Sequence, residues 1–326
     1  MILLYFLPLY GILFTANLDA AGRVWRSITY GFIVSVSSFI VCAGVGLLVG
    51  GSPMLQQIVA DPSAFAGVST LVPSLFLTLA GVAGVAMMVP AVRVRVIEGL
   101  RLRLDPENTV HMVALVFAVW LAGLVLAQLF IFMRLPVETV TEGAAVTVAQ
   151  LWEQGIAFTL FALLGVGLGL RRSLGETLER LGVTRVTRRQ VAIAVGAIVA
   201  LSAFDLLVTL VWQAVAPLSL ERVSAISEAL FADVIGPLGA ITIGLTAGIG
   251  EELLFRGAVQ PRFGLVLTTI LFTLGHVQYE LSPALFSVFV IGLVLGMVRQ
   301  RENTTTAILI HAGYNALNVL LAPLWS

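Results

Sequence analysis

Long uninterrupted apolar segments dominate this chain and restrict what it can fold into. Three of the clearest are Ile28–Gly50, Val110–Met133 and Val191–Val215. Each is longer than the roughly 20 residues that an α-helix needs to cross the hydrocarbon core of a bilayer. Strands of a membrane barrel would alternate apolar and polar residues, whereas continuous apolar blocks are typical of membrane helices. We therefore expect an all-α polytopic membrane protein.

The composition excludes most other classes of protein. Hydrophobic residues make up 59% of the chain and charged residues 11%, so a soluble domain would lack a surface suited to water. The net charge is zero and no basic stripe is present, which argues against a nucleic-acid partner. A single cysteine, Cys42, excludes an intrachain disulfide and a cysteine-based zinc site.

Ten segments are candidates for membrane-spanning helices. They cover residues 1–18, 28–50, 69–92, 110–133, 154–170, 191–216, 237–256, 264–280, 283–298 and 304–325. The first is expected to be a membrane helix rather than a cleaved signal peptide, because no basic residue precedes Arg23. Ser219–Asp233 is mildly amphipathic, and we expect a loop there rather than an interfacial helix.

The arginines predict the orientation of these spans. All 18 basic residues are arginine, and alternating the gaps between spans places 16 of them on one side. Only Arg134 and Arg222 fall on the other side. Basic residues are retained in the cytoplasm, so we expect a multi-pass protein of the cell membrane with both termini outside. The longest charged gap, Arg171–Gln190, is then cytoplasmic and forms the boundary between an N-terminal region, residues 1–190, and a C-terminal region, residues 191–326.

Ionisable groups inside a membrane are costly, so each one needs a reason. The N-terminal region offers only His111, at the edge of its span, where a solvated or snorkelling role is expected. Asp205 lies within the sixth span, and we interpret it as a polar contact to Ser202, to Thr209 or to a neighbouring helix.

The last part of the chain carries three polar patterns within apolar segments. They are Glu251-Glu252-Leu-Leu-Phe-Arg256, Phe272-Thr-Leu-Gly-His276 and His311-Ala-Gly-Tyr-Asn315. On a helix, Glu251 and Glu252 point about 100° apart, so they cannot both face one cavity. The four-residue spacing favours an ion pair between Glu252 and Arg256, and it puts His311 and Asn315 on one face.

The spacing also predicts a common depth for these side chains. Glu251 lies 12 residues before Phe263 and His276 lies 12 after Gly264, so two antiparallel helices would hold both about 18 Å from the turn. Small-residue pairs that would let the helices approach closely are Gly244 with Gly248 and Gly292 with Gly296.

Such a cluster has the composition of a hydrolytic site. A carboxylate in a low-dielectric cavity is a stronger base toward water, so Glu251 could take a proton from a water molecule that His276 also holds. The resulting oxygen nucleophile would attack a peptide carbonyl. His311 and Asn315 could then donate hydrogen bonds to the developing oxyanion.

These three patterns resemble the signature of the CPBP intramembrane proteases, a family that includes the type II CAAX prenyl endopeptidases and bacteriocin-processing or immunity proteins. The resemblance covers roughly residues 237–325. It implies an endopeptidase whose water is activated by Glu251 and His276 and whose oxyanion site is His311 with Asn315. Membrane-associated peptides or proteins, prenylated CAAX-type peptides among them, are the implied substrates. For Phe272 and for the pair of Glu252 with Arg256 we expect structural roles.

Three alternatives remain open at this stage. A non-catalytic relative acting as an immunity or scaffold protein would keep the same motifs, and a transporter would also bury polar residues at mid-depth. A zinc site built from Glu251, His276 and His311 is the third. We favour a metal-free site without a cofactor, because no His-Glu-x-x-His pattern is present and because Asn315 suits an oxyanion better than a metal.

Overall fold

The computed structural model of the chain describes residues 2–19, 22–56, 65 and 68–321. The protein is 83% helical and has no β-strand in its described residues, where a single isolated bridge joins Leu168 and Arg172. The all-α polytopic fold expected from the apolar blocks is therefore confirmed.

Sixteen α-helices occur in the described residues. They are α1 (Ile2–Tyr5), α2 (Leu7–Asn17), α3 (Arg23–Gln56), α4 (Leu71–Ala86), α5 (Pro90–Gly99), α6 (Thr109–Phe132), α7 (Val137–Thr141), α8 (Val148–Gly165), α9 (Leu174–Leu181), α10 (Arg188–Val215), α11 (Pro217–Phe231), α12 (Gly236–Glu251), α13 (Gln260–Phe263), α14 (Leu265–Leu274), α15 (Pro283–Arg301) and α16 (Thr304–Leu321). A π-helical segment, Glu252–Val259, joins α12 to α13 without a break.

Each predicted span contains helix, but the number of crossings is not settled at ten. Among the described residues, six helical stretches are long and apolar enough to cross a membrane, or seven if the bent pair α4–α5 counts as one. The six are Arg23–Gly51, Thr109–Phe132, Val148–Gly165, Arg188–Val215, Gly236–Phe263 and Pro283–Arg301. Residue 1 of the first predicted span and residues 322–325 of the last lie outside the described residues.

Residues 69–92, predicted as one span, contain two helices that meet at a bend. Helix α4 ends at Ala86, and α5 continues from Pro90 at an angle of 109°. Val89 is extended, with φ −78° and ψ 118°, as expected for a residue that precedes proline. Proline at the first position of α5 then starts the new helix in a different direction.

The predicted span over residues 264–280 is too long. The turn before it is confirmed at Gly264, whose φ of 78° favours glycine. Helix α14, however, contains only ten residues and ends at Leu274. His276, with φ −114° and ψ 47°, lies beyond it at the start of a short 3₁₀ turn, so this histidine is not on a membrane helix.

Two polar segments that the sequence analysis left without structure are helical. Ser219–Asp233, expected to be a loop, lies almost entirely within α11, which begins at Pro217. The gap Arg171–Gln190 contains α9, which starts with a capping box between Ser173 and Glu176. The backbone N–H and hydroxyl of Ser173 donate to the Glu176 carboxylate and hold its pKa below the ordinary value.

The chain forms two compact units, of which the first carries all of the motif residues except His276. It comprises residues 1–10, 144–273 and 281–326, and so includes residues 144–190, which the sequence analysis assigned to the N-terminal region. Within it α12 packs between α8 and α16. A side chain in place of Gly248 would overlap Ala312, and one in place of Gly250 would overlap the backbone of Gly155. The close approach expected from the small residues of α12 is therefore present.

Residues 11–143 and 274–280 make up the second unit. In it α4 packs against α3 and α6 through glycines, since Gly81 meets the Ser37 carbonyl and Gly123 meets Ala80. The backbone N–H of Asp105 donates to Nδ1 of His111 at 2.9 Å. His111 therefore stabilises the loop before its helix, which is a more specific role than the solvated one expected.

Asp205 does not make the contact to Ser202 that the sequence suggested. It lies half-buried on α10 in the first unit. The Ser202 hydroxyl is buried and has no hydrogen-bond partner among the described residues.

Candidate active site

The helix that carries both motif glutamates changes its geometry where they occur. Glu251 is the last residue of α12, and Glu252 begins the eight-residue π segment that ends at Val259. In a π segment the backbone bonds run from residue i to i+5, which widens the helix, and such segments are frequent at functional sites. This segment presents Glu252 and Arg256 to the interior of the first unit, where both side chains are buried.

Glu252 is the centre of a buried polar cluster. Its side chain is 0% exposed, and Oε1 lies 2.8 Å from Nδ1 of His311 on α16. The same oxygen lies 3.2 Å from Nη1 of Arg256. This Nη1 has no hydrogen bond of good geometry, so we regard the contact as an ion pair rather than a directed bond. The predicted pairing of Glu252 with Arg256 is thus present, and His311 joins it.

Arg256 is held on its other sides by the neighbouring helices. Its Nη2 donates to the Gly292 carbonyl at 3.2 Å, and its guanidinium lies 4.1 Å from the centre of the Phe272 ring. A side chain at position 292 would crowd Thr269 and Phe272, which explains why glycine suits that site. Arg256 is 1% exposed and so belongs to the packed interior.

Phe272 joins the second motif to the other two. Its ring packs edge-on against His311, with the ring centres 5.9 Å apart, and edge-on against Phe255 at 5.5 Å. All three sequence patterns therefore meet in one cluster of the first unit. The packing role expected for Phe272 agrees with these contacts.

The contact with Glu252 restricts what His311 can do. A carboxylate accepts hydrogen bonds, so the short contact assigns the Nδ1 proton to His311. The neutral ring then carries a lone pair on Nε2, which accepts a proton or a hydrogen bond but does not donate one. His311 can donate to an oxyanion through Nε2 only when the ring is an imidazolium.

Glu251 differs from its neighbour in burial and in partners. Its residue is half-buried, and Oε2 is buried without a hydrogen bond to any group in the described residues. A buried carboxylate oxygen without a protein partner is unusual and calls for a functional explanation. This oxygen is available to a water molecule or a substrate, as is Oε2 of Glu252, which is likewise buried without a hydrogen bond among the described residues.

Asn315 lies one helical turn after His311 on α16 and is half-buried. Its side-chain amide makes no hydrogen bond within the part of the chain that the structure describes. The amide therefore has both donors available, as an oxyanion site requires.

His276 is found in the second unit, between the end of α14 and a 3₁₀ turn. Its ring is nearly parallel to that of Tyr279, with a 6.2 Å separation of ring centres and an 8° angle between the planes. The predicted role of His276 in activating water is not tested by this placement and stays a prediction.

The metal alternative also stays open as a prediction. No group of three or more His, Cys, Asp or Glu side chains arranged to hold a metal ion is found among the described residues. At His311 the Nδ1 atom is engaged by Glu252, so only Nε2 would serve as a ligand. A carboxylate that fixes a ring in this way is compatible with a metal ligand as well as with a metal-free base.

The sequence analysis assigned Glu252 to Arg256. It allowed that Glu252 or Asp205 could also orient the ring of His276 or His311 in space, and the structure shows this contact between Glu252 and His311. Residues 59 positions apart leave no local spacing signal. The adjacent pair Glu251-Glu252 was the available clue, since only one of the two carboxylates has an arginine four residues later.

The comparison with known protein families gives a match over the region that carries these motifs. Residues 234–317 match the family model described as type II CAAX prenyl endopeptidase Rce1-like. The similarity to that family is confined to this region of the chain. The matched Rce1-like segment contains all seven motif residues, and it supports a CAAX-type intramembrane protease at the level of the family. No curated protein and no solved structure matches the chain significantly.

Proposed function

We propose that this protein is an intramembrane endopeptidase that hydrolyses a peptide bond of a membrane-associated peptide or protein with a water nucleophile. The observation that carries the proposal is the buried contact of Glu252 with His311, since it joins two motifs of an Rce1-like region. Glu251, Asn315 and His311 then supply a base, an amide donor and an oriented imidazole from two adjacent helices.

In the proposed reaction Glu251 acts as the general base. Its Oε2 takes a proton from water while the water oxygen bonds to the carbonyl carbon of the substrate. His276 is the second group that we assign to holding this water. The carbonyl becomes a tetrahedral oxyanion that accepts hydrogen bonds from the amide of Asn315 and from protonated His311. When the C–N bond breaks, the proton on Glu251 passes to the departing amine, and the carboxylate is restored.

Glu252 acts in this scheme as a positioning residue. It does not touch the substrate, but it fixes the orientation of the His311 ring. Arg256 and Phe272 hold Glu252 and His311 in turn, so the whole cluster is rigid before a substrate binds.

The substrate class follows from the family and from the apolar surroundings. A site on membrane helices favours a peptide that is itself tethered to the bilayer, and prenylated CAAX-type peptides are the first class to test. A non-catalytic immunity or scaffold protein is the second candidate, because it would retain the same buried cluster for stability alone.

Purified protein in liposomes, incubated with membrane-tethered peptides, tests the proposal. We expect cleavage by the wild type and a loss of roughly 10²- to 10⁴-fold in Glu251→Gln, the range for removing a general base. Glu221→Gln makes the same replacement at an exposed position of α11. It is the matched control, and this variant should cleave the peptides like the wild type. Activity of a folded Glu251→Gln protein within a fewfold of wild type would remove Glu251 from the mechanism.

Absence of cleavage across prenylated and unprenylated peptides would instead favour the immunity or scaffold role. Peptide proteomics of cells with wild-type protein or Glu251→Gln extends this comparison to natural substrates. Peptides that accumulate only with the variant would identify the substrate class.

A further inference from the structure

A second concentration of charge lies in the first unit, away from the carboxylates. It consists of four arginines from three separate gaps between spans: Arg172 and Arg180 from the segment around α9, Arg262 from α13 and Arg299 from α15. We refer to these four residues as the arginine cluster. Each is partly exposed, so the cluster is accessible from the solvent or the lipid headgroups.

Arg180 and Arg299 lie close together, because they donate to the carbonyls of the adjacent residues Gly257 and Arg256. The pKa of Arg180 is lowered to about 10, first by burial and then by the charges of Arg262, Arg172 and Arg299. Arg180 is still charged at neutral pH. The charges that act on it are all positive, so its surroundings favour an added anion.

Backbone contacts hold the cluster in place. Nη1 of Arg180 donates to the Gly257 carbonyl at 3.0 Å, and Nε of Arg299 donates to the Arg256 carbonyl at 3.1 Å. Arg172 donates to the carbonyl of Val166. A guanidinium has five N–H donors, so each of these residues keeps donors for a ligand after making one such bond.

The segment that carries Arg180 is also fixed to the first unit. Thr304 donates its hydroxyl to the Leu181 carbonyl at 2.5 Å and its backbone N–H to the Gly182 carbonyl at 3.0 Å. On the other side of the turn, Thr184 and Thr305 exchange two hydrogen bonds. A ligand would therefore meet donors that are already positioned, which reduces the cost of binding.

We propose that the arginine cluster binds the phosphate group of an anionic lipid at the membrane surface. Guanidinium groups match phosphate oxygens in pairs of hydrogen bonds, and arginines at the ends of spanning helices lie at headgroup level. Arg262 and Arg299 both lie within the last three residues of their helical stretches, Gly236–Phe263 and Pro283–Arg301. The site is separate from the proposed protease chemistry and does not depend on it.

Native mass spectrometry of the full-length protein in a neutral detergent tests this proposal. Phosphatidylglycerol and phosphatidylcholine with identical acyl chains are the two probes. We expect phosphatidylglycerol to bind roughly tenfold more tightly, and we expect the variant that removes two arginines of the cluster to lose this preference. Arg172→Gln with Arg262→Gln is the cluster variant. Arg185→Gln with Arg188→Gln removes the same charge from exposed positions nearby and should keep the preference.

Inorganic phosphate distinguishes a lipid from a soluble ligand of the same chemistry. Thermal unfolding is followed in phosphate and in chloride at equal ionic strength. A phosphatidylglycerol preference that the cluster variant loses supports the lipid site. Stabilisation by phosphate alone, lost in the cluster variant, would assign the same arginines to a soluble phosphate-bearing ligand.

The proposal is overturned if the wild type shows neither a preference for phosphatidylglycerol nor stabilisation by phosphate. It is also overturned if the cluster variant fully retains whichever effect the wild type shows. If the double variant does not fold, the single Arg262→Gln protein replaces it in both measurements. A wild-type protein without a preference for phosphatidylglycerol rejects the lipid site before any variant is made.

Discussion

Nδ1 of His311 lies 2.8 Å from Oε1 of Glu252, and both side chains are buried. The carboxylate therefore determines which nitrogen of the imidazole faces the remaining space. Because Nδ1 is engaged, Nε2 is the working atom, as an acceptor in the neutral ring and as a donor in the protonated ring. The proposed oxyanion role of His311 thus depends on a residue that no substrate needs to touch.

Glu252→Gln tests this dependence. The amide keeps the shape of the side chain but replaces the carboxylate that accepts from Nδ1 and orients the His311 ring. We expect kcat to fall roughly 10- to 100-fold, the usual range for losing a group that orients another, while KM for a tethered peptide stays unchanged. Glu252→Asp should recover part of the rate. Unaltered kcat in a folded Glu252→Gln protein would show that the contact has no catalytic consequence.

Arg256→Ala is expected to act on stability. It leaves Glu252 as a buried charge without its cation, and breaking a buried pair in this way costs roughly 3–5 kcal/mol. Thermal unfolding in detergent should show a lower Tm and reduced yield. Arg185→Ala, at an exposed position, is the control and should unfold like the wild type. A well-expressed Arg256→Ala protein with a normal Tm but no activity would mean that Arg256 has a direct role in the reaction.

Chelation distinguishes the metal-free mechanism from a zinc mechanism. We expect activity to survive 1,10-phenanthroline and the purified active protein to contain no stoichiometric zinc. The reason is that Glu251 already provides a base and Asn315 a donor, so no Lewis acid is needed to activate the water. Activity that is lost with the chelator and restored by zinc would contradict this, and Glu251, His276 and His311 would then be examined first as ligands.

Cysteine labelling tests the predicted orientation. In a Cys42→Ala background, Val186→Cys lies in the exposed part of the predicted cytoplasmic gap, and Ser219→Cys lies at an exposed position in a gap predicted to be outside. On intact cells, an impermeant maleimide should label the Ser219→Cys variant but not the Val186→Cys variant. After lysis it should label both variants. The proximity of Arg172, Arg262 and Arg299 to Arg180 is consistent with three arginine-rich gaps on one side. Labelling of the Val186→Cys variant in intact cells would show that the predicted orientation is wrong.

The long helices could be predicted from the sequence because apolar length alone specifies them. Helix α6 matches its predicted span within one residue at each end, and the Gly264 turn was expected from a glycine between apolar blocks. Bends and helix ends inside the apolar segments depend instead on single proline and glycine residues. The bend before Pro90 and the end of α14 before Gly275 come from proline and glycine inside apolar runs, which an average over hydropathy conceals.

The candidate site could be predicted only in part. Spacing along one helix gave the pair of Glu252 with Arg256, since that contact is local. The contact of Glu252 with His311 and the position of Phe272 against Arg256 are tertiary, and they arise from how α12, α14 and α16 pack. The equal-depth argument assumed uniform α-helices for Glu251 and His276, whereas a π segment and a short α14 replace them.

The π segment has a consequence for how related chains can differ in length. An i→i+5 turn holds one residue more than an i→i+4 turn, so deleting one residue between positions 252 and 259 would allow an ordinary α-helix to close. The carbonyls of Arg256 and Gly257 would then be drawn away from Arg299 and Arg180. A single gap in an alignment, with every motif residue still present, would therefore be enough to mark a relative in which the equivalents of Arg299 and Arg180 lose these backbone partners.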